Sequence, residues 1–155
     1  MRILKLNAEN RPLYLSQALE LHRRLLGPLS RRRLVERLRG RKPLLLVAVE
    51  GERVVGYKFG YEERPGRFYS WLGGVEPEFR RRGIASALMH RQHRLLEKAG
   101  YREVRCHTRN RFRGMLLLSI MHGFDIIGTV WVGGEIRLVL SKKLGRKAKD
   151  VSEGL

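Results

Sequence analysis

Two periodicities of hydrophobic positions run along this chain, and they predict helices and strands in a defined order. Apolar residues recur every three or four positions in four stretches, as on one face of an amphipathic helix. The predicted helices cover residues 12–26, 30–40, 84–98 and 112–122, the second with Ser30 as its N-cap. Alternating or continuous apolar runs bounded by turn residues are typical of strands. The predicted strands cover residues 1–6, 44–50, 53–62, 68–75, 104–108, 124–132 and 135–140.

The order of these elements predicts the fold class. Three successive strands with short turns, from residue 44 to residue 75, form an antiparallel meander. The strand, helix and strand between residues 68 and 108 require a crossover, and therefore a parallel pair. The chain is thus expected to be an α/β sandwich with a mixed sheet. No linker or repeat divides it, so we expect one domain over residues 1–142 and a basic, frayed tail over residues 143–155.

The charge of the chain adds a constraint on its partners. The 155 residues include 33 Lys and Arg against 15 Asp and Glu, which gives a net charge of +18. A surface with this potential attracts nucleic acids, anionic membranes or polyanionic small molecules such as nucleotide cofactors. The cations are spread along the chain, so charge alone does not select among these partners.

Other features of the sequence predict a cytoplasmic protein that does not act at a membrane. The apolar runs, such as residues 115–118, are far too short to cross a bilayer. The first residues lack the apolar core of a signal peptide. The lone Cys106 cannot form an intrachain disulfide and is expected to be a small buried hydrophobe.

The most informative segment is a basic, glycine-containing turn between a strand and a helix, residues 75–89. The first turn of a helix has unpaired N–H groups and the positive end of the helix dipole, which together bind anions. Gly83 lets these N–H groups approach a phosphate, and Ala85 and Ser86 keep the next positions small. Arg80, Arg81 and Arg82 add the positive charge that a diphosphate needs. The alternative interpretation is an ordinary helix start with a solvated arginine rim.

The surrounding residues carry a family resemblance. Val75-x-Pro77 followed by Arg80-x-x-Gly83-x-Ala85 resembles motif A of the GNAT superfamily of N-acetyltransferases, with the pattern (Q/R)-x-x-G-x-(G/A). Asn110, a helix and then Gly123-Phe124 resemble a second family segment. Residues 69–75 look like a bacterial subgroup of undefined substrate. The resemblance implies a GNAT-type mixed, mostly antiparallel sheet of about seven strands flanked by about four helices.

The resemblance also implies acetyl-CoA as co-substrate and assigns residues to it. Backbone groups around Val75 would hold the acetyl carbonyl and the pantetheine arm, the turn would hold the pyrophosphate, and Asn110 would bond to the pantetheine. The cofactor-binding residues so expected are Gly74, Val75, Arg80, Arg81, Arg82, Gly83, Ile84, Ala85, Ser86 and Asn110.

The catalytic residues depart from the family pattern. Many members have a base Glu on the fourth strand, where this sequence has Tyr69, and an acid Tyr where it has Ser119. The remaining candidate bases are His107, whose unperturbed pKa suits the role, and Glu62 and Glu63, which could act through a water. Each of these three also has a purely structural interpretation. His90 and His93 lack a third ligand at nearby spacing, so we expect no metal.

Six aromatic residues lie on adjoining predicted strands. A packed cross-strand set is the preferred interpretation, with an acceptor cleft lined by some of Tyr61, Tyr69 and Trp71 as the alternative. The aromatic residues are Tyr57, Phe59, Tyr61, Phe68, Tyr69 and Trp71.

We therefore expect an N-acetyltransferase that moves an acetyl group from acetyl-CoA to a primary amine by direct attack in a ternary complex. The acceptor is left open among a small molecule, a peptide N-terminus and a lysine. The alternative function is a CoA-binding but catalytically weak module that associates with RNA or the ribosome through its basic surface. A weak nucleic-acid association and a homodimer also remain open.

Overall fold

A seven-stranded sheet forms the centre of the computed structural model, which describes residues 1–145. The strand order is β1-β2-β3-β4-β5-β7-β6. Every neighbouring pair is antiparallel except β4 and β5, which are parallel and are linked by a helical crossover as predicted. The strands are β1 Arg2–Lys5, β2 Pro43–Glu50, β3 Arg53–Arg64, β4 Arg67–Val75, β5 Glu103–Arg109, β6 Asp125–Val132 and β7 Glu135–Lys143.

Four helices cover the two faces of the sheet, and this confirms the fold predicted from the sequence. The helices are α1 Arg11–Leu26, α2 Arg31–Leu38, α3 Ile84–Lys98 and α4 Arg113–Met121. One buried cluster contains side chains of α1 and α2, and a second contains side chains of α3 and α4. We call the two sides of the sheet the α1–α2 face and the α3–α4 face. Apolar side chains at alternate strand positions therefore fill a core on each side.

Local sequence signals explain where the helices begin and end. The Ser30 hydroxyl accepts a hydrogen bond from the Arg33 N–H at 3.1 Å, so the predicted N-cap forms. Gly27, with φ +107°, follows the last residue of α1 and ends it. None of the four helices is long and apolar enough to cross a membrane over the described range 1–145.

The last strand extends beyond its predicted end at residue 140. β7 pairs with β5 as far as Lys143, which lies opposite Glu103. Leu144 is buried, and its N–H donates to the Arg102 carbonyl at 2.8 Å. The chain is thus held through the first two residues of the expected tail, because Leu144 packs into the core. The rest of that expected tail, from residue 146 onward, lies outside the described residues.

Candidate active site

A gap between β4 and β5 lies at the centre of the sheet. The two strands pair only over residues 67–70 and 103–106, although β4 continues to Val75 and β5 to Arg109. At the same level β4 has a bulge, since Phe59 pairs with Leu72 and the next residue, Gly60, pairs with Ser70. The bulge therefore lies where the pairing with β5 ends, and beyond it a gap between the two strands connects the α1–α2 face with the α3–α4 face.

Val75 directs its backbone groups toward this gap. The Glu76 N–H donates to the Val55 carbonyl of β3 at 2.8 Å, and successive residues of a strand direct their backbone groups to opposite edges. The Val75 groups therefore point away from β3, and its carbonyl accepts a hydrogen bond from Arg80 Nε at 3.3 Å. The Val75 N–H therefore faces the gap, and its expected bond to the acetyl carbonyl stays a prediction.

Gly74 is required by packing. By the same alternation its backbone groups point toward β3. A Cβ at this position would lie 2.7 Å from Leu25 Cδ1 and 3.0 Å from Tyr57 Cε1, so any larger residue would displace the Leu25 side chain or the Tyr57 ring. The expected contact of Gly74 with the co-substrate stays a prediction.

The turn before α3 has the geometry of an anion-binding site. Arg81 and Gly83 adopt left-handed conformations, with φ of +62° and +76°. The first hydrogen bond of α3 runs from the Ala87 N–H to the Gly83 carbonyl at 2.9 Å. Three earlier N–H groups therefore have no acceptor within the helix, those of Ile84, Ala85 and Ser86. A Cβ at Gly83 would meet nothing within 4 Å, so the space before the helix is open.

The arginines of the turn differ in what their side chains contact. The Arg80 guanidinium bends back to the Val75 carbonyl, and the Arg82 guanidinium lies 4.7 Å from the centre of the Phe79 ring. Arg81 is exposed. All three therefore make the electrostatic potential at the turn more positive. The groups that would bind an anion directly are the main-chain N–H groups.

Residues of the α4 region close the gap on the α3–α4 face. The Ser86 hydroxyl and His122 Nε2 are 2.7 Å apart, which links the first turn of α3 to the end of α4. Asn110 is exposed directly after β5. Ser119 is buried, and its hydroxyl donates to the Met115 carbonyl at 2.9 Å. Its hydroxyl proton is thus already engaged within the helix, and a role as acid stays a prediction.

Lys58 on β3 is a residue of this site that the sequence analysis did not single out. It is buried, and residues 1–145 provide no carboxylate within ion-pair distance of it. The aliphatic part of its side chain lies beside Gly73, on the edge of the gap. Its charge opposes the rise in the pKa of Cys106 and contributes to lowering the pKa of His93. Burial lowers the pKa of Lys58. The signal in the sequence was a single charged residue within the otherwise apolar run of β3.

The Cys106 thiol, on the same face as Lys58, is unreactive as a nucleophile. Burial, as the largest cause, raises the pKa of Cys106 to about 11, although the Lys58 charge opposes this. The thiol is therefore protonated at neutral pH and is a poor nucleophile.

On the α1–α2 face the gap is lined by aromatic side chains. The Tyr61 ring lies edge-on to Tyr69 and Trp71, with ring centres 5.6 Å and 6.0 Å apart. The Tyr69 ring lies 5.3 Å from His107 of β5. Tyr57, Phe59, Tyr61 and Phe68 are buried, whereas Tyr69 and Trp71 are half-buried beside the gap. The packed cross-strand set is thus observed, and an acceptor cleft lined by some of Tyr61, Tyr69 and Trp71 stays a prediction.

His107 is the candidate base that the structure brings to the gap. Burial lowers its pKa, and the charges of Arg137 and Arg105 lower it further while Glu63 opposes them. The imidazole is therefore neutral at pH 7 and has a nitrogen lone pair available. Tyr69, at the position of the expected strand base, has a pKa raised by burial to about 12, so it keeps its proton.

The two candidate glutamates are held by cations at the end of β3. Glu63 accepts a hydrogen bond from Arg67 Nε at 2.8 Å, and Glu62 lies 3.6 Å from the Lys42 ammonium. These contacts engage both carboxylates with cations. Their proposed action through a water stays a prediction.

The residues described contain no group of three or more metal ligands. His93 is buried, and its Nδ1 lies 3.1 Å from the Lys142 ammonium, while His90 is exposed. The two histidines therefore do not form a pair, and His93 is part of the core.

Comparisons with known proteins assign the chain to a class. The profile of the acetyltransferase (GNAT) family matches residues 7–118, so the chain belongs to this family. No curated protein sequence gives a significant match. The family assignment and the fold agree with the resemblance drawn from motif A.

Solved structures of acetyltransferases share this fold at low sequence identity. The ribosomal-protein-S18-alanine N-acetyltransferase from Escherichia coli has a TM-score of 0.79 and 16% identity, covering 96% of this chain and 97% of that one. An aminoglycoside 6'-N-acetyltransferase complexed with coenzyme A has a TM-score of 0.79 and 13% identity, covering 95% and 99%. A GNAT family acetyltransferase from Elizabethkingia anophelis with acetyl-CoA bound has a TM-score of 0.71 and 18% identity, covering 92% and 97%. The two complexes agree with the expected co-substrate, whereas nothing found supports the alternative of an RNA- or ribosome-associated module.

Proposed function

We propose that this protein transfers the acetyl group of acetyl-CoA to a primary amine by direct attack within a ternary complex. The observation that carries the proposal is the gap between β4 and β5, with an amide-lined anion site on one face and a neutral histidine on the other. Two substrates that approach from opposite faces can meet in such a gap, which raises their effective concentration.

The α3–α4 face suits the co-substrate. The free N–H groups at the start of α3 would hold a pyrophosphate, and the exposed Arg81 would add charge to it. The Val75 N–H would polarise the acetyl carbonyl, which is where negative charge develops in acyl transfer. Acetyl-CoA supplies an activated thioester, and the protein's contribution is to orient it and to exclude water.

The α1–α2 face suits the amine. His107 is neutral near pH 7 and would accept the proton that the attacking amine loses. The nitrogen–carbon bond forms as the carbon–sulfur bond breaks. The departing sulfur would receive a proton from Lys58, whose lowered pKa makes it a readier donor than an ordinary lysine. This role would replace the tyrosine that the family resemblance expects where the chain has Ser119.

Direct transfer is favoured over a covalent relay through the protein. The lone thiol, Cys106, is held protonated by its pKa of about 11. A relay also needs an activated nucleophile with a base in hydrogen-bond reach, and Ser119 instead bonds to the Met115 carbonyl.

An amine-panel assay tests the proposal. The protein is incubated with acetyl-CoA and small amines, peptides with free N-termini, or lysine peptides. Thiol release is followed by a thiol reagent and the acetylated amine by mass spectrometry. We expect equal amounts of both products with at least one amine class. Thiol release without an acetylated amine, or no release with any class, would contradict the proposed reaction.

A further inference from the structure

We propose that the acceptor carries an anionic group, a carboxylate or a phosphate, close to its amine, and that Arg137 on the α1–α2 face binds this group together with Arg37. The inference rests on the proposed function, because it names the class of acceptor for the same site.

The main observation is the buried, unpaired Nε of Arg137. Arg137 lies on β7 opposite Arg109 of β5, near the gap, and no carboxylate of residues 1–145 lies within ion-pair distance of it. Its Nε is buried and has no hydrogen-bond partner in the described part of the chain. A buried donor without a partner is destabilising, and more so when it belongs to a charged group. An anion bound to the accessible part of this half-buried side chain would compensate the charge of the guanidinium.

The composition alone does not explain this arrangement. A chain with 33 cations and 15 acids must leave many arginines without an acidic partner, and most of these are solvated at the surface. Other arginines near the sheet do have carboxylates, such as Arg109 with Glu135 at 3.1 Å. Arg137 differs from both groups because its Nε is out of contact with water yet unpaired.

A second cationic group reaches the same place from α2. Tyr69 is the half-buried ring beside His107. The charges of Arg37 and Arg137 both oppose the rise of its pKa, so both guanidinium groups lie near this ring. Arg37 Nε donates to the Tyr61 hydroxyl at 3.0 Å, and its guanidinium carbon lies 5.1 Å from the centre of the Trp71 ring. The aromatic rings hold this guanidinium in place without neutralising it.

A shallow cavity extends from this cluster. It has a volume of about 320 Å³ and is lined by Leu29, Arg33, Glu36, Arg37, Arg41 and Trp71. The Arg41 guanidinium carbon lies 5.2 Å from the centre of the Tyr61 ring, and Glu36, the only acid of the lining, accepts a hydrogen bond from Arg32. The cavity therefore presents net positive charge against an aromatic wall.

This electrostatic field selects among amines. A purely cationic acceptor would be repelled by Arg37 and Arg137 as it approached His107. An acceptor with an anionic group gains charge-assisted hydrogen bonds to a guanidinium, often two at once. The same arginines would lower the pKa of a nearby amine, which favours the neutral form that attacks.

Matched acceptor pairs test the inference. The pairs are β-alanine with β-alaninamide, phosphoethanolamine with ethanolamine, and the amidated tripeptides Asp-Ala-Ala and Asn-Ala-Ala. They separate a carboxylate, a phosphate and an acidic peptide N-terminus. We expect kcat/KM for the anionic member of at least one pair to be about tenfold or more above that of its neutral partner. Equal rates in all pairs, or a preference for the neutral members, would overturn the inference.

Two variants locate the effect. Arg137→Met should lower kcat/KM of the anionic member about tenfold more than that of the neutral member, and so remove the preference. Arg94→Met, which removes an exposed arginine of α3 on the other face, should keep the preference. An equal loss for both members in Arg137→Met would mean a structural role and would contradict the inference.

Binding without turnover separates this inference from the proposed function. N-acetyl-β-alanine and its amide are titrated into the protein in the presence of coenzyme A. Tighter binding of the acid that depends on Arg137 supports the anion site even if no amine is acetylated, in which case only the transfer reaction fails. Turnover of amines without any such difference keeps the reaction and removes the anion site.

Discussion

The two faces of the central gap are built from different parts of the chain. On the α3–α4 face the anion site consists of main-chain N–H groups, positioned by the left-handed Gly83 and by the start of α3. On the α1–α2 face the site consists of side chains from α2, β4, β5 and β7, such as Arg37, Tyr69, His107 and Arg137. A main-chain site can stay the same while its side chains vary, whereas a side-chain site changes with each substitution. Under the proposed function, the α3–α4 face would bind the co-substrate and the α1–α2 face would select the acceptor.

The variant with the largest expected effect disrupts the main-chain anion site before α3. Gly83→Asp adds a side chain at φ +76° and a negative charge where a pyrophosphate would lie, so affinity for acetyl-CoA should fall about 100-fold or more. Equilibrium dialysis with labelled acetyl-CoA measures this. Gly100→Asp is the matched control, since Gly100 has φ +87°, open space and a place at the opposite end of α3. Similar losses of affinity in both variants would refute the assigned site.

A second variant tests the α1–α2 face. His107→Gln should lower kcat about 100-fold because it removes the general base, with little change in acetyl-CoA affinity. In the unaltered protein kcat/KM should fall as the pH drops through the pKa of His107, which burial places below 6.5. This acidic limb should be absent from the variant. A variant that retains both the rate and the limb would exclude His107 as the base.

A third variant tests the proposed role of Lys58, the buried cation at the edge of the gap. Lys58→Met should reduce kcat about tenfold, because a thiolate then leaves without a nearby proton donor. The melting temperature should rise or stay unchanged, since an uncompensated buried charge is replaced by an apolar side chain of similar length. Lys98→Met, at the exposed end of α3, should change neither quantity. Reduced stability with normal kcat would indicate that Lys58 is only structural.

The smallest expected effect concerns stability in acid. Burial, with the Lys142 charge as the next cause, lowers the pKa of His93 to about 2, so the folded state binds fewer protons than the unfolded state below pH 6.5. The free energy of unfolding should therefore fall with decreasing pH, by up to about 1.4 kcal/mol per pH unit from this group. Urea denaturation between pH 7.5 and 5 measures the slope.

His93→Gln should make that slope shallower, and the exposed His90→Gln on the same helix should not. The slope should not vanish in His93→Gln, because burial also lowers the pKa of His22, His107 and His122. An unchanged slope would mean that His93 is protonated in the folded protein.

The sequence predicted the main-chain site because that site depends on local signals. A glycine, small residues and a helix start lie within a few positions of one another, and the strand order follows from short-range periodicity. The side-chain site could not be predicted in the same way. Arg37 of α2, Tyr69 of β4 and Arg137 of β7 come together only through helix packing and sheet pairing between distant segments. Lys58 was missed because one charged residue within an apolar run is a weak signal, and its burial is visible only in three dimensions.

The central claim is that the gap binds acetyl-CoA through main-chain groups on the α3–α4 face. Calorimetric titration of the protein with acetyl-CoA at moderate salt tests it most directly, because salt suppresses nonspecific attraction to a chain of charge +18. One-to-one binding in the micromolar range that persists at this salt is the predicted result. Absent binding, or binding that disappears with salt, would contradict the account.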